Sequence, residues 1–143
     1  MKKENRGFTL IELVIVIAVL GILAIVAIPR FINVTAESHT AVLNELAADI
    51  RLAVMLVQGK YRVGGSSGTT VTMDDGTVVT VTAGTGLPIS NTGGIDAALK
   101  YNFASSGLAL TSTATTAVFA FNATCSVTYS NTTGIPTTLL TGC

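Results

Sequence analysis

Apolar residues fall along this chain in three regimes. From Phe8 to Ile28 the run FTLIELVIVIAVLGILAIVAI is apolar except for Thr9 and one carboxylate, Glu12. Counting Phe8 through Ile28 gives 21 residues. As a helix rising 1.5 Å per residue they would span roughly 30 Å, the thickness of a hydrocarbon core. After Pro29 the pattern becomes amphipathic. At 100° per residue Ile32, Leu43, Leu46, Ile50, Val54 and Val57 fall on one stripe about 80° wide, joined by Ala36 and His39. The turns at Leu52-Ala53-Val54-Met55-Leu56-Val57 are apolar all round, which predicts burial between a sheet and other helices, and Gly59 is a plausible stop.

From about Tyr61 the regime changes again. Gly64-Gly65-Ser66-Ser67-Gly68 reads as a loop. Alternating, β-branched residues at 69–73 and 77–82 flank Asp74-Asp75-Gly76, the signal of a hairpin. Residues 84–94 read as loop, with Asp96 a candidate cap for a short helical turn through Lys100. Ala117–Asn122 and Thr124–Ser130 read as strands, the second placing Cys125, Val127 and Tyr129 on one face. Asn131 to Gly134 supplies a turn and Ile135–Thr141 a last extended segment. The expected fold class is therefore α+β: a long N-terminal α-helix, membrane-spanning in its first half and amphipathic in its second, packed on a small antiparallel β-sheet head.

Charge sharpens this picture. Only 11% of the 143 residues are charged, against about 25% in an average chain, so threonine, serine and glycine supply most of the polarity. The net charge is zero and no basic cluster lies beyond the N-terminus, which argues against a dedicated nucleic-acid site. Lys2, Lys3 and Arg6 precede the apolar run, whereas only Arg30 follows it closely. The positive-inside bias puts the N-terminus in the cytoplasm and the rest across the membrane. That compartment is oxidising in bacteria, which favours a disulfide between Cys125 and Cys143 over two free thiols. The apolar run ends in Ile28-Pro29-Arg30-Phe31 with no A-x-A motif, so it does not read as a removed secretory signal.

Candidate chemistry is sparse. His39 is the single histidine and has no metal or catalytic partner at suitable spacing, so it reads as a helix-packing residue. Asp74 and Asp75 lack the further oxygen ligands of a calcium loop and read as turn residues. Gly84-Thr85-Gly86 is too little for a phosphate-binding loop. No Ser/His/Asp set, Cys/His set or metal cluster supports an enzyme, and no cofactor is implied. Glu12 stands apart. A carboxylate at the head of an apolar helix requires a partner in the same low-dielectric setting, or else a place in the headgroup zone, where a helix N-terminus favours it. The residue physics weighs these two readings evenly.

Gly7-Phe8-Thr9-Leu10-Ile11-Glu12-Leu13, behind a short basic leader and ahead of an apolar run ending at Pro29, resembles the class III signal of type IV prepilins. The likeness covers about the first 60 residues. The short leader is similar to the type IVa class, and Pro29-Arg30-Phe31-Ile32-Asn33 is similar to mannose-sensitive haemagglutinin pilins. The resemblance implies four regions: a cleaved leader over 1–7, a transmembrane and filament-core helix over 8–29, its amphipathic continuation over 30–60, and a β-rich head over 61–143 with a C-terminal disulfide loop. It implies cleavage between Gly7 and Phe8 by a prepilin peptidase and N-methylation of Phe8. The mature side chains then hold five basic and seven acidic groups, a balance of −2.

On this resemblance Glu12 sets subunit register by pairing with the Phe8 amine of a neighbour. The stretch from Gly21 to Pro29 loses helical order within the filament, and Cys125–Cys143 bounds an exposed loop. The expected partners are other copies of the chain in a helical filament, the inner membrane before assembly, the prepilin peptidase and the assembly machinery. The protein would be held in the inner membrane, head in the periplasm, and then in an extracellular pilus. A pseudopilin of a type II secretion system and a minor pilin are the alternatives.

Overall fold

The computed structural model describes residues 8–101 and 103–143, with backbone alone at 25–35, 104 and 105. The expected leader, Gly7 included, lies outside the described residues. The chain divides into two compact units, one ending at Ala36 and one from Glu37 to Cys143.

Helix α1 runs from Leu10 to Val63 and contributes to both units. In the first unit it is continuous through Gly21 and Pro29. The melting expected between these two residues belongs to an assembled filament and stays an expectation about that state. Its described apolar side chains, Leu10 to Leu23, are all exposed. Among the described residues no helix is long and apolar enough to cross a membrane. The spanning segment expected over 8–29 draws on residues 25–29, whose side chains lie outside those described.

In the second unit the amphipathic stripe does what its period dictates. Leu43, Leu46, Ala47, Ile50 and Val54 are buried against Ala117, Phe119, Cys125, Val127 and Tyr129 of the sheet. Each large apolar side chain so covered contributes roughly 1.5–3 kcal/mol. His39 stacks on Phe121 with ring centroids 3.9 Å apart, as a helix-packing histidine should. Ile32, placed on the same stripe by its spacing, lies outside the described side chains. Leu52, Met55 and Leu56, expected to be covered, are exposed in the isolated chain.

The helix does not stop at Gly59. Val57 and Tyr61 are buried with Val71, Val79 and Val81, and this second cluster holds one more turn in helical form. The end comes at Gly64-Gly65. Ser66 N–H donates to the Tyr61 carbonyl at 3.0 Å and Gly65 N–H to the Arg62 carbonyl at 3.2 Å. Gly65 adopts φ +91°, so the pair forms a Schellman termination. A glycine is equally required at Gly86 (φ +68°), where an added Cβ would lie 2.5 Å from the Tyr61 ring.

Strands β1 (Thr70–Thr72) and β2 (Val78–Thr80) form the expected hairpin around Asp74-Asp75-Gly76. Asp74 pairs with Lys60 and Asp75 with Lys100, so both aspartates are engaged by ammonium groups. The hydrogen bond from Lys100 holds the Asp75 carboxyl well below the usual carboxylate range. Helix α2 (Ile95–Leu99) follows, ended by Lys100 in the left-handed region. Asp96 does not cap it: Gly94 holds the cap position, no side chain bonds there, and one Asp96 oxygen is buried without a partner.

A one-turn helix α3 (Phe103–Ser106) leads into a four-stranded antiparallel meander of β3 (Ala109–Ser112), β4 (Thr116–Asn122), β5 (Cys125–Ser130) and β6 (Pro136–Leu139). Strands β4, β5 and β6 match the expected segments. The pattern gave no signal for β3, a four-residue edge strand with every residue exposed. Cys125, Val127 and Tyr129 do share the inner face. Tyr129 is fully covered, and its hydroxyl donates to the Pro88 carbonyl at 2.7 Å. Burial pushes that hydroxyl's pKa above the ordinary tyrosine value. Cys125 and Cys143 are bonded across a separation of 18 residues. Asn122 Nδ2 donates to the Gly142 carbonyl at 3.0 Å beside the bridge.

Two consequences are measurable in the full chain in detergent. Cys143→Ser should lower the unfolding free energy by about 3 kcal/mol in the chain-entropy account. Urea midpoints equal to those of the oxidised wild type would refute the staple. For Tyr129, the folded state holds the phenolic proton more tightly than the unfolded state does. Its contribution to stability is therefore complete below about pH 10 and declines as pH rises beyond that. Tyr129→Phe should lose about 1 kcal/mol at neutral pH, with a shallower alkaline decline. An alkaline slope unchanged by the substitution would count against the assignment.

Candidate functional site at the start of the long helix

Thr9 immediately precedes the first helical residue, Leu10, and Glu12 is the third residue of the helix. A hydroxyl at the N-cap and a carboxylate three residues on form a capping box, since each can satisfy a backbone donor that the helix itself leaves free. The structure builds it. Thr9 N–H donates to Glu12 Oε2 at 2.8 Å, and the Thr9 hydroxyl donates to the same oxygen at 2.6 Å. Glu12 N–H donates in turn to Thr9 Oγ1 at 3.4 Å.

This geometry constrains what Glu12 does. Its carboxylate is fixed in orientation by one oxygen, Oε2. The other oxygen, Oε1, has no hydrogen-bond partner among the described residues, and Glu12 forms no ion pair among them. The local bonds supply two donors but no countercharge. In water that is harmless. Surrounded by aliphatic side chains, an uncompensated carboxylate costs several kcal/mol.

The setting is aliphatic. Phe8 is 86% exposed, and Leu10, Ile11, Leu13, Val14, Ile15 and their successors to Leu23 are all exposed around the carboxylate. Soluble monomers rarely leave so continuous an apolar surface in water; such surfaces are characteristic of contacts with lipid or with other chains. The arrangement offers a fixed anion with one open acceptor, within a surface that will be desolvated. Such an arrangement is suited to receiving a cation from outside the segment.

Of the other residues singled out from the sequence, Gly21 is exposed and an added Cβ there would touch nothing within 4 Å. The Pro29 side chain and all of Gly7 lie outside those described. Cys125 and Cys143 form their bridge within the second unit. Among the described residues no group of three or more His, Cys, Asp or Glu side chains is placed to hold a metal. The reading from sequence passed over Thr9, although its signal, Thr-x-x-Glu ahead of an apolar run, was present.

The chain matches the prokaryotic N-terminal methylation motif over residues 2–28. It is 46% identical over 57 residues to the type IV narrow pilus major component PilA5 of Thermus thermophilus, covering 38% of this chain and 49% of that one. It is 44% identical over 62 residues to the type IV major fimbrial protein FimA of Dichelobacter nodosus, covering 42% of this chain and 40% of that one. Fimbrial protein Q of Moraxella bovis is 41% identical over 83 residues, covering 57% of this chain and 52% of that one. The chain thus spans about half the length of the curated relatives it matches. No solved structure matches. The capped carboxylate, the exposed apolar helix and the methylation motif coincide in one segment, and it is this N-terminal part of the chain that is similar to type IV pilins.

Proposed function

We propose that the chain is a structural subunit of a bacterial type IV pilus, assembled through its N-terminal helix. The observation that carries this reading is the uncompensated Glu12, fixed by Thr9 inside an apolar surface that has no cover among the described residues. Cleavage between Gly7 and Phe8 by a prepilin peptidase would leave a cationic amine at Phe8, which the same enzyme methylates. That amine is four residues from Glu12, at the top of the same apolar helix. With neighbouring helices offset along a filament axis, the Phe8 amine of one subunit meets Glu12 of another.

The capping box refines the pairing. Oε2 is already taken by Thr9, so Oε1 is the oxygen that receives the incoming ammonium. Each group makes the burial of the other tolerable, and a shifted register strands a charge among aliphatic side chains. The pair therefore selects one register more than it adds net stability.

Before assembly the segment 8–29 would rest in the inner membrane with its N-terminus cytoplasmic and the second unit in the periplasm. After extraction by the assembly machinery, the same surface would be covered by other copies of the helix. Between Gly21 and Pro29 the helix would relax to accommodate its neighbours. The finished filament would lie outside the cell and support adhesion and surface-associated behaviour. Nothing in this scheme requires catalysis or a cofactor.

Mass spectrometry of filaments sheared from cells tests the scheme. The expected subunit begins at N-methylated Phe8 and carries the Cys125–Cys143 bridge. A subunit retaining residues 1–7, and never polymeric, overturns it. Glu12→Ala should leave membrane insertion and cleavage intact yet abolish or strongly reduce filaments. Wild-type filament yield at equal protein level would sink the register role. Thr9→Ala removes a cap worth about 1 kcal/mol and frees the carboxylate to rotate. It should slow assembly without abolishing it, as followed by filament yield over time.

A further inference from the structure

The sheet of the second unit has two unlike edges. Strand β6 begins at Pro136, which has no N–H to offer, and runs into the segment held by the disulfide at Cys143. Strand β3 has no such guard. Its four residues, Ala109-Leu110-Thr111-Ser112, are all exposed, and among the described residues β4 is its only strand neighbour. Folded proteins ordinarily blunt an open edge with lysine, proline, a bulge or a covering segment. Here there is none among the described residues.

The phase of the free edge follows from one bond. Thr113 N–H donates to the Thr116 carbonyl at 2.8 Å. Antiparallel ladders alternate, so Thr111, aligned with Val118, shares that inward phase. Leu110 and Ser112 therefore turn their N–H and C=O groups to the open side. Two such edges related by a two-fold axis fit one another. Leu110 of one copy exchanges both backbone bonds with Ser112 of the other, and Thr111 faces Thr111 at a Cα separation of about 4.5 Å.

The charge distribution suits a second copy. From Tyr101 to Cys143 there is no Asp, Glu, Lys, Arg or His. The whole four-stranded sheet lies in that stretch, so two copies approach edge to edge without like-charge repulsion between sheet side chains, whereas a charged partner gains nothing there. We infer that the β3 edge pairs antiparallel with the β3 edge of a second copy. Resting on the filament reading above, this contact joins subunits of adjacent filaments side by side. One short strand pair is weak, but repetition along two filaments multiplies it.

Two measurements on the full chain test this. The chain has no free cysteine among its native residues, so Thr111→Cys introduces a single thiol. In membranes under mild oxidation it should form a disulfide dimer, while Thr138→Cys on β6 should not. In sheared preparations, wild-type filaments should lie in bundles that persist from low to high salt, since no charge holds them. Ser112→Pro, which removes the outward donor, and Ser112→Lys, which keeps the backbone and adds a charge, should both give single filaments. Bundling of both variants as in wild type, or no more dimer from Thr111→Cys than from Thr138→Cys, overturns the inference. Absence of any wild-type filament would instead refute the filament reading, and the Thr111→Cys dimer would still decide the edge contact.

Discussion

A carboxylate inside an aliphatic surface is the constraint on which the rest of this protein turns. Glu12 is held by Thr9 through two hydrogen bonds to one oxygen. Those bonds orient the group and stabilise the helix start, but they bring no positive charge. Once the residues around Glu12 leave water, the missing countercharge must come from outside the segment. The charged form persists in low dielectric only with a cation close by. In the proposed assembly, a new N-terminal amine on a neighbouring helix would meet that need, and would do so at one axial offset. On that proposal, specificity of assembly would follow from the cost of every other offset.

The second unit answers a different problem. A small β-rich region has little interior, and this one has almost no charge to spread over its surface. Its stability rests on the amphipathic half of α1, whose Leu43, Leu46, Ile50 and Val54 cover the inner face of the sheet. Tyr129 ties the loop at Pro88 to that core, and the Cys125–Cys143 bridge fixes the segment beyond β6. The lysine pairs at Asp74 and Asp75 are exposed and count for less, because solvent screens them. They set the position of the β1–β2 turn more than the stability of the unit.

Some elements were legible before any coordinates. The hairpin at Asp74-Asp75-Gly76, strands β4 to β6 and the burial of Cys125, Val127 and Tyr129 all follow from alternation and turn chemistry, which are local. Other elements were not. The last turn of α1 passes Gly59 because Tyr61 is buried with Val71, Val79 and Val81, a contact between distant segments. Asp96 sits in the first turn of α2 without capping it, because the cap position belongs to Gly94. Strand β3 carries no periodic signal, since an edge strand covered on neither face needs none.

The sequence by itself determined the apolar run, its lone carboxylate, the amphipathic period that follows and the motif that names its N-terminal part. These depend on residue type and spacing along one chain, so they survive without coordinates. Only the tertiary structure decided where α1 ends, which residue caps α2 and which edge of the sheet is guarded. Each of these depends on groups far apart in sequence or on the direction of a hydrogen bond. Spacing constrains neither; folding sets both when it selects which surfaces leave water.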